Sequence, residues 1–269
     1  ENMGRRAWLA MLTFIWFALV YLIIAFADIT AATFVGKTEE LEGHFAFNAG
    51  GAVAAASVTY MLLAIAMGLV QRMFKPPLWL MTLIFVPATL GAVWLGTQIS
   101  TLLVLPHTTW AVTIMLYFFV ASLLPVWLLL QPRGYLGGFV LYIALAIGVI
   151  GIFFGGFDVK QPILTSAPVF GLSGSIVPFL FVTIACGAVS GFHGLVCSGT
   201  TAKQIEKESD ARVVGYGGML LEAFVALIAL ATIMIVAPEM SKGVAPGRIY
   251  GDGIAHFLTV AIGKDAFLF

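Results

Sequence analysis

The residues best suited to chemistry gather in one stretch, Phe181–Ile205, which reads FVTIACGAVSGFHGLVCSGTTAKQI. Four glycines, Gly187, Gly191, Gly194 and Gly199, are interspersed with Ser190, His193 and Ser198, and Thr200 and Thr201 follow. Glycine in a helix interior costs about 1 kcal/mol relative to alanine. Four so close together predict local unwinding between about 187 and 201. Unwound backbone at membrane depth is tolerated only where it is buried in protein or lines a water-filled cavity. There its amides, carbonyls and neighbouring hydroxyls can hold anions and ions. A second reading stays open at this point. Small residues let two helices pack closely, His193 can donate to a backbone carbonyl, and Ser198–Thr201 can be an ordinary helix end.

Glu222 is the other chemical signal. It lies near the middle of an apolar run, where the insertion cost of a carboxylic residue such as Asp is roughly 2.5–3.5 kcal/mol. Its helical neighbours at i−4, i+4 and i+7 are Gly218, Ala226 and Ala229. That small-residue stripe predicts a face turned toward another helix rather than toward lipid. A desolvated carboxyl suits a proton carrier, and it equally suits a hydrogen-bonded group that joins two helices. Asp28, at the end of the first apolar run, reads as a cap or interfacial carboxylate. His44 and His107 read as surface residues. Cys186 and Cys197 have no C-x-x-C spacing and read as small buried hydrophobes. No metal-ligand spacing, nucleophile elbow, phosphate-binding loop or dinucleotide fingerprint is present in the sequence, so the chain does not read as an enzyme and implies no cofactor.

The elements that must hold these residues follow from composition. Of 269 residues, 61% are hydrophobic and 10% charged, with no net charge. A soluble domain carries about 25% charged residues. This composition excludes a soluble enzyme, a nucleic-acid binder and a disordered linker, and leaves an all-α integral membrane protein. Spanning a bilayer takes about 20 apolar residues. Seven runs of about that length occur, at 7–27, 51–70, 78–95, 110–130, 136–154, 176–196 and 213–236. They are read as transmembrane helices of a single domain, 1–269, the sixth broken near 187–201. Pro125 should kink the fourth run. Trp79, Trp94, Trp110 and Tyr135 should anchor run ends at the membrane interface. A non-spanning amphipathic stretch is expected at Ile254–Ile262. Arg5, Arg6, Arg72, Lys75, Arg133, Lys203, Lys207 and Arg212 fall on one side, against five basic residues on the other. By the positive-inside rule the N-terminus is cytoplasmic.

Three stretches resemble the carbon starvation protein A family of prokaryotic inner-membrane transporters. They are PFLFVTIACGAVSGFHGLVCSGTTAK at Pro178–Lys203, GYGGMLLEAFVALIALAT at Gly215–Thr232, and LPVWLLLQPRGYL at Leu124–Leu136. The resemblance covers Tyr117–Val236 well and Met3–Leu95 loosely. It departs at Ala202, Gly194 and Cys197, where the family usually has Pro, Ala and Ser. It implies part of an inverted-repeat fold like that of the amino-acid, polyamine and cation carriers. The chain then reads as a central portion of a longer carrier, its missing helices lying in the same polypeptide or in other membrane subunits.

The resemblance also implies a function: secondary active uptake of a small carboxylate nutrient, pyruvate or short peptides, induced on carbon starvation. Ser190, Gly191, His193, Ser198, Gly199, Thr200 and Thr201 would bind substrate, and Glu222 and His193 would carry the coupled proton. Sodium remains the alternative coupling ion, since carbonyls and hydroxyls of a broken helix can hold it. The small-residue stripes also fit a non-transporting scaffold that packs against partner membrane proteins. Expected partners are the carboxylate substrate and membrane lipid, with no nucleic acid.

Overall fold

A computed structural model describes residues 4–36, 38–41, 45–161, 184–188, 194, 197, 199–237, 244 and 246–263. Seven long helices are found among them: α1 (Arg5–Phe34), α2 (Ala49–Phe74), α3 (Leu78–Gln98), α4 (His107–Leu123), α5 (Leu130–Phe154), α6 (Glu208–Met234) and α7 (Pro246–Ile262). Five of these, α1, α2, α3, α5 and α6, are long and apolar enough to cross a membrane, and α4 is apolar but shorter. The protein is an all-α multi-pass membrane protein. An antiparallel hairpin, β1 (Thr38–Leu41) and β2 (Phe45–Asn48), interrupts the helices between α1 and α2, with Thr38 paired to Asn48 and Leu41 to Phe45.

Threonines inside these helices satisfy themselves. The hydroxyls of Thr13, Thr30 and Thr33 donate to the carbonyls of Leu9, Phe26 and Ile29 in α1, at 2.7–2.9 Å. Thr59, Thr82, Thr89 and Thr113 donate in the same way to Ala55, Leu78, Phe85 and Thr109. A hydroxyl bonded to the carbonyl four residues back exposes no unpaired donor to hydrocarbon.

The chain divides into two compact units, Glu1–Tyr142 and Ile143–Phe269. In the first, α2 and α3 pack through small residues. A Cβ added at Gly96 would come within 2.7 Å of the Ala52 carbonyl oxygen. Met67, Met81, Phe85 and Leu136 form a buried cluster at one end. A second cluster joins α1 and α4 through Ala27, Ala31, Trp110 and Ile114. Asn48 ties the chain together where α1 ends and α2 begins. It is fully buried. Its Oδ1 accepts from the Gly51 amide at 2.8 Å, which caps α2. Its Nδ2 donates to the Gly36 carbonyl at 2.9 Å and to Thr38 Oγ1 at 3.2 Å.

In the second unit, glycines bring helices together. Gly148 of α5 packs under Ile228 of α6, Gly151 of α5 under Phe257 of α7, and Gly253 of α7 against Thr232 of α6. Ile228, Thr232 and Phe257 are each about 1% exposed. The backbone amide of Lys160 donates to the Met234 carbonyl at 2.9 Å, and Gln161 Nε2 donates to the Val236 carbonyl at 2.8 Å.

The structure corrects several boundaries. The fourth run does not continue to Leu130 through a kink. Helix α4 stops at Leu123, and Leu124 before Pro125 is extended, as the residue before proline prefers to be. Helix α5 then starts at Leu130 rather than Leu136 and carries Pro132 in its first turn, where no amide partner is needed. Trp110 is not an interface anchor. It is 5% exposed and meets Phe34 edge-on at 4.9 Å, because its ring fills the space left by Ala27 and Ala31. Trp79 and Trp94 are exposed, as anchors are. The amphipathic stretch at 254–262 is the second half of a longer helix, α7. Of the sixth run, 176–196, the described residues 184–188 and 194 are helical.

Candidate functional site

Helix α6 is set by its ends and its middle. Glu208 and Asp210 occupy its first turn, where carboxylates complement the positive end of the helix dipole. Beyond Arg212 Glu222 is the charged residue of the helix, about 21 Å along the axis from Glu208 at 1.5 Å per residue. Glu222 is half-buried.

One turn further on, Ala226 meets the glycine-rich stretch. A Cβ built on Gly187 would stand 2.9 Å from the Ala226 Cβ, so the two backbones approach closely only because residue 187 has no side chain. The small-residue stripe read beside Glu222 is therefore an interface at Ala226. At Gly218 a Cβ would meet nothing within 4 Å among the described residues.

Downstream of Gly187 the described backbone is helical at 194, 197 and 199. The Cys197 thiol donates to the Gly194 carbonyl at 3.3 Å. Both cysteines are free and exposed rather than buried. The helical geometry gives way at Thr200, which precedes a 3-10 turn, Thr201–Lys203. The Lys203 and Gln204 amides close that turn on the Thr200 and Thr201 carbonyls. Of the residues proposed for substrate, Gly199 is exposed, and Thr200 and Thr201 are half-exposed. Ser190, Gly191, His193 and Ser198 lie outside the described residues. The arrangement thus sets a mid-helix carboxyl one turn from the close approach that opens a glycine- and hydroxyl-rich segment. Backbone amides and hydroxyls of such a segment can hold a carboxylate.

Reading residues one at a time missed a pair in the first unit. Asp28 lies within α1, which continues six residues past it, and His107 is the first residue of α4. They meet at 3.4 Å. The available signal is that both residues lie at the ends of apolar runs, Asp28 after 7–27 and His107 before 110–130.

The family described as "Carbon starvation protein CstA" matches residues 1–262. A relative named "Peptide transporter CstA" from Helicobacter pylori (strain ATCC 700392 / 26695) is 43% identical over 211 residues, 74% of this chain and 30% of the relative. One of the same name from Mycobacterium tuberculosis (strain ATCC 25618 / H37Rv) is 52% identical over 45% of this chain and 16% of the relative. A relative named "Pyruvate/proton symporter BtsT" from Escherichia coli (strain K12) is 46% identical over 46% of this chain and 18% of the relative. The chain spans about a third or less of the length of these relatives. No solved structure matches it significantly.

Proposed function

The chain belongs to the carbon starvation protein CstA family, and on that premise we propose that it forms part of a proton-coupled carrier taking up pyruvate or short peptides across a prokaryotic inner membrane. The observation that carries this reading is the close approach of Gly187 to Ala226. It sets the face of α6 that bears Glu222 against the segment leading into Ser190–Thr201. In this reading Glu222, with His193, carries the proton. Ser190, Gly191, His193, Ser198, Gly199, Thr200 and Thr201 receive the substrate carboxylate. The N-terminus faces the cytoplasm, supported by the excess of basic residues on that side. The names of the relatives support the substrate classes, and the symporter's name supports proton coupling.

Proteoliposomes test it. In sodium-free buffer with an inward proton gradient, the reconstituted chain should accumulate labelled pyruvate or dipeptide. Glu222→Gln should abolish gradient-driven accumulation while the variant remains folded by circular dichroism. Accumulation by Glu222→Gln with an unchanged pH profile removes Glu222 from the mechanism. No accumulation by the unaltered chain removes transport by this polypeptide alone.

A further inference from the structure

At the opposite end of the first unit from Asn48 lies a cavity of about 440 Å³, where α2 ends, α3 begins and the 124–129 connection turns into α5. Its lining includes Gln71, Arg72, Lys75, Leu78, Trp127 and Gln131, and no acidic residue. Gly68 makes the close approach. A Cβ there would come within 2.6 Å of the Leu128 carbonyl oxygen and 3.0 Å of that of Trp127. The approach holds Trp127 beneath the Arg72 guanidinium, 5.2 Å from the ring centroid. Among the described residues neither Arg72 nor Lys75 is paired with a carboxylate. The cavity is also bordered by the first turns of α3 and α5, at Leu78 and Gln131, whose dipoles favour an anion.

Lys75 adds an independent observation. Among the described residues it is the non-glycine residue held at positive φ, +48°, in the left-handed region. Glycine or asparagine normally takes that position after a helix, and the following Pro76 favours an extended backbone at 75 instead. A lysine retained in a conformation it disfavours points to use of its ammonium group.

Beside the lining residues Arg72, Lys75 and Leu78 the helix ends carry apolar side chains: Met73, Phe74, Leu78 and Trp79 are 72%, 73%, 53% and 67% exposed. They sit where spanning helices end, at the depth of lipid headgroups and upper acyl chains. Basic pockets between spanning helices bind anionic headgroups.

We propose that this cavity binds the phosphate headgroup of an anionic phospholipid, with Arg72 and Lys75 on the phosphate and the Phe74–Trp79 rim against the acyl chains. Native mass spectrometry of the detergent-solubilised chain tests it, with phosphatidylglycerol and phosphatidylcholine as probes. The chain should retain phosphatidylglycerol in preference to phosphatidylcholine. Arg72→Gln and Lys75→Gly should each weaken that retention about fivefold, and the double variant should abolish the preference. Lys75→Gly removes the charge while relieving the backbone, so its loss of lipid is not a loss of folding. Arg5→Gln, a cation outside the cavity, should change nothing. Equal retention of the two lipids, undiminished retention by the double variant, or an equal loss in Arg5→Gln overturns the proposal. Displacement of phosphatidylglycerol by millimolar inorganic phosphate, or by pyruvate or a dipeptide, also overturns it, by assigning the cavity to a soluble anion.

Discussion

His107 Nε2 stands 3.4 Å from Asp28 Oδ1, joining the start of α4 to α1 a turn and a half before α1 ends. The side chains are 42% and 68% exposed, and exposure screens the attraction. The buried contact of Trp110, one turn on from His107, with Ala27 and Ala31, which lie beside and one turn on from Asp28, does the holding. A double-mutant cycle of Asp28→Asn and His107→Ala, read by thermal unfolding in detergent, should give a coupling below about 1 kcal/mol.

Asn48→Ala should be far more damaging. It leaves the buried Gly51 amide and the partly buried Gly36 carbonyl without their partner. An unsatisfied buried group costs about 1–3 kcal/mol. The variant should lose stability in detergent by about that amount or more. Thr13→Val, which removes only a hydroxyl bonded within its own helix, should be nearly neutral.

Phe257→Ala should be destabilising for a different reason. The ring is about 1% exposed and lies over Gly151. Its removal opens a cavity between α5 and α7, and phenylalanine-to-alanine changes in cores cost about 3–5 kcal/mol. Chemical unfolding of the solubilised chain measures the loss.

Gly187→Ala should cost about 1–3 kcal/mol through overpacking, because its new methyl would meet Ala226 at 2.9 Å. Ala226→Gly in the same chain should recover most of that. If Glu222 works at this contact, uptake in proteoliposomes should fall in the single variant and return in the double.

The helices were legible because a bilayer demands long apolar runs, and the runs beginning near 7, 51, 78 and 213 each fall in a helix long and apolar enough to cross a membrane. The break at Leu124–Pro125 was visible as a proline. Whether it bent or ended the helix depended on Gly68 admitting the 127–128 backbone against α2, a contact 60 residues distant in sequence and silent there. Trp110 was misplaced for the same reason. A tryptophan near a run end suits an interface or a core, and only the alanines of α1 decide between them. The hairpin Thr38–Asn48 was hidden under its acidic residues, which gave no strand pattern. The family resemblance was convincing from Tyr117 to Val236, and the family match extends to 1–262. At the site, the stripe beside Glu222 correctly announced a close neighbour. That Ala226 rather than Gly218 meets it depends on where the partner segment crosses, which spacing alone does not encode.

Asn48 has a mechanical consequence. One amide side chain fastens the exit of α1, the root of the hairpin and the first turn of α2. Any tilting of α1 against α2 therefore has its fulcrum at that end of the pair. The arms of the lever are the two helix lengths, about 45 Å for α1 and about 39 Å for α2 at 1.5 Å per residue. A small rotation at the fulcrum becomes its largest displacement at the far tips, which bear Arg5 and Arg72.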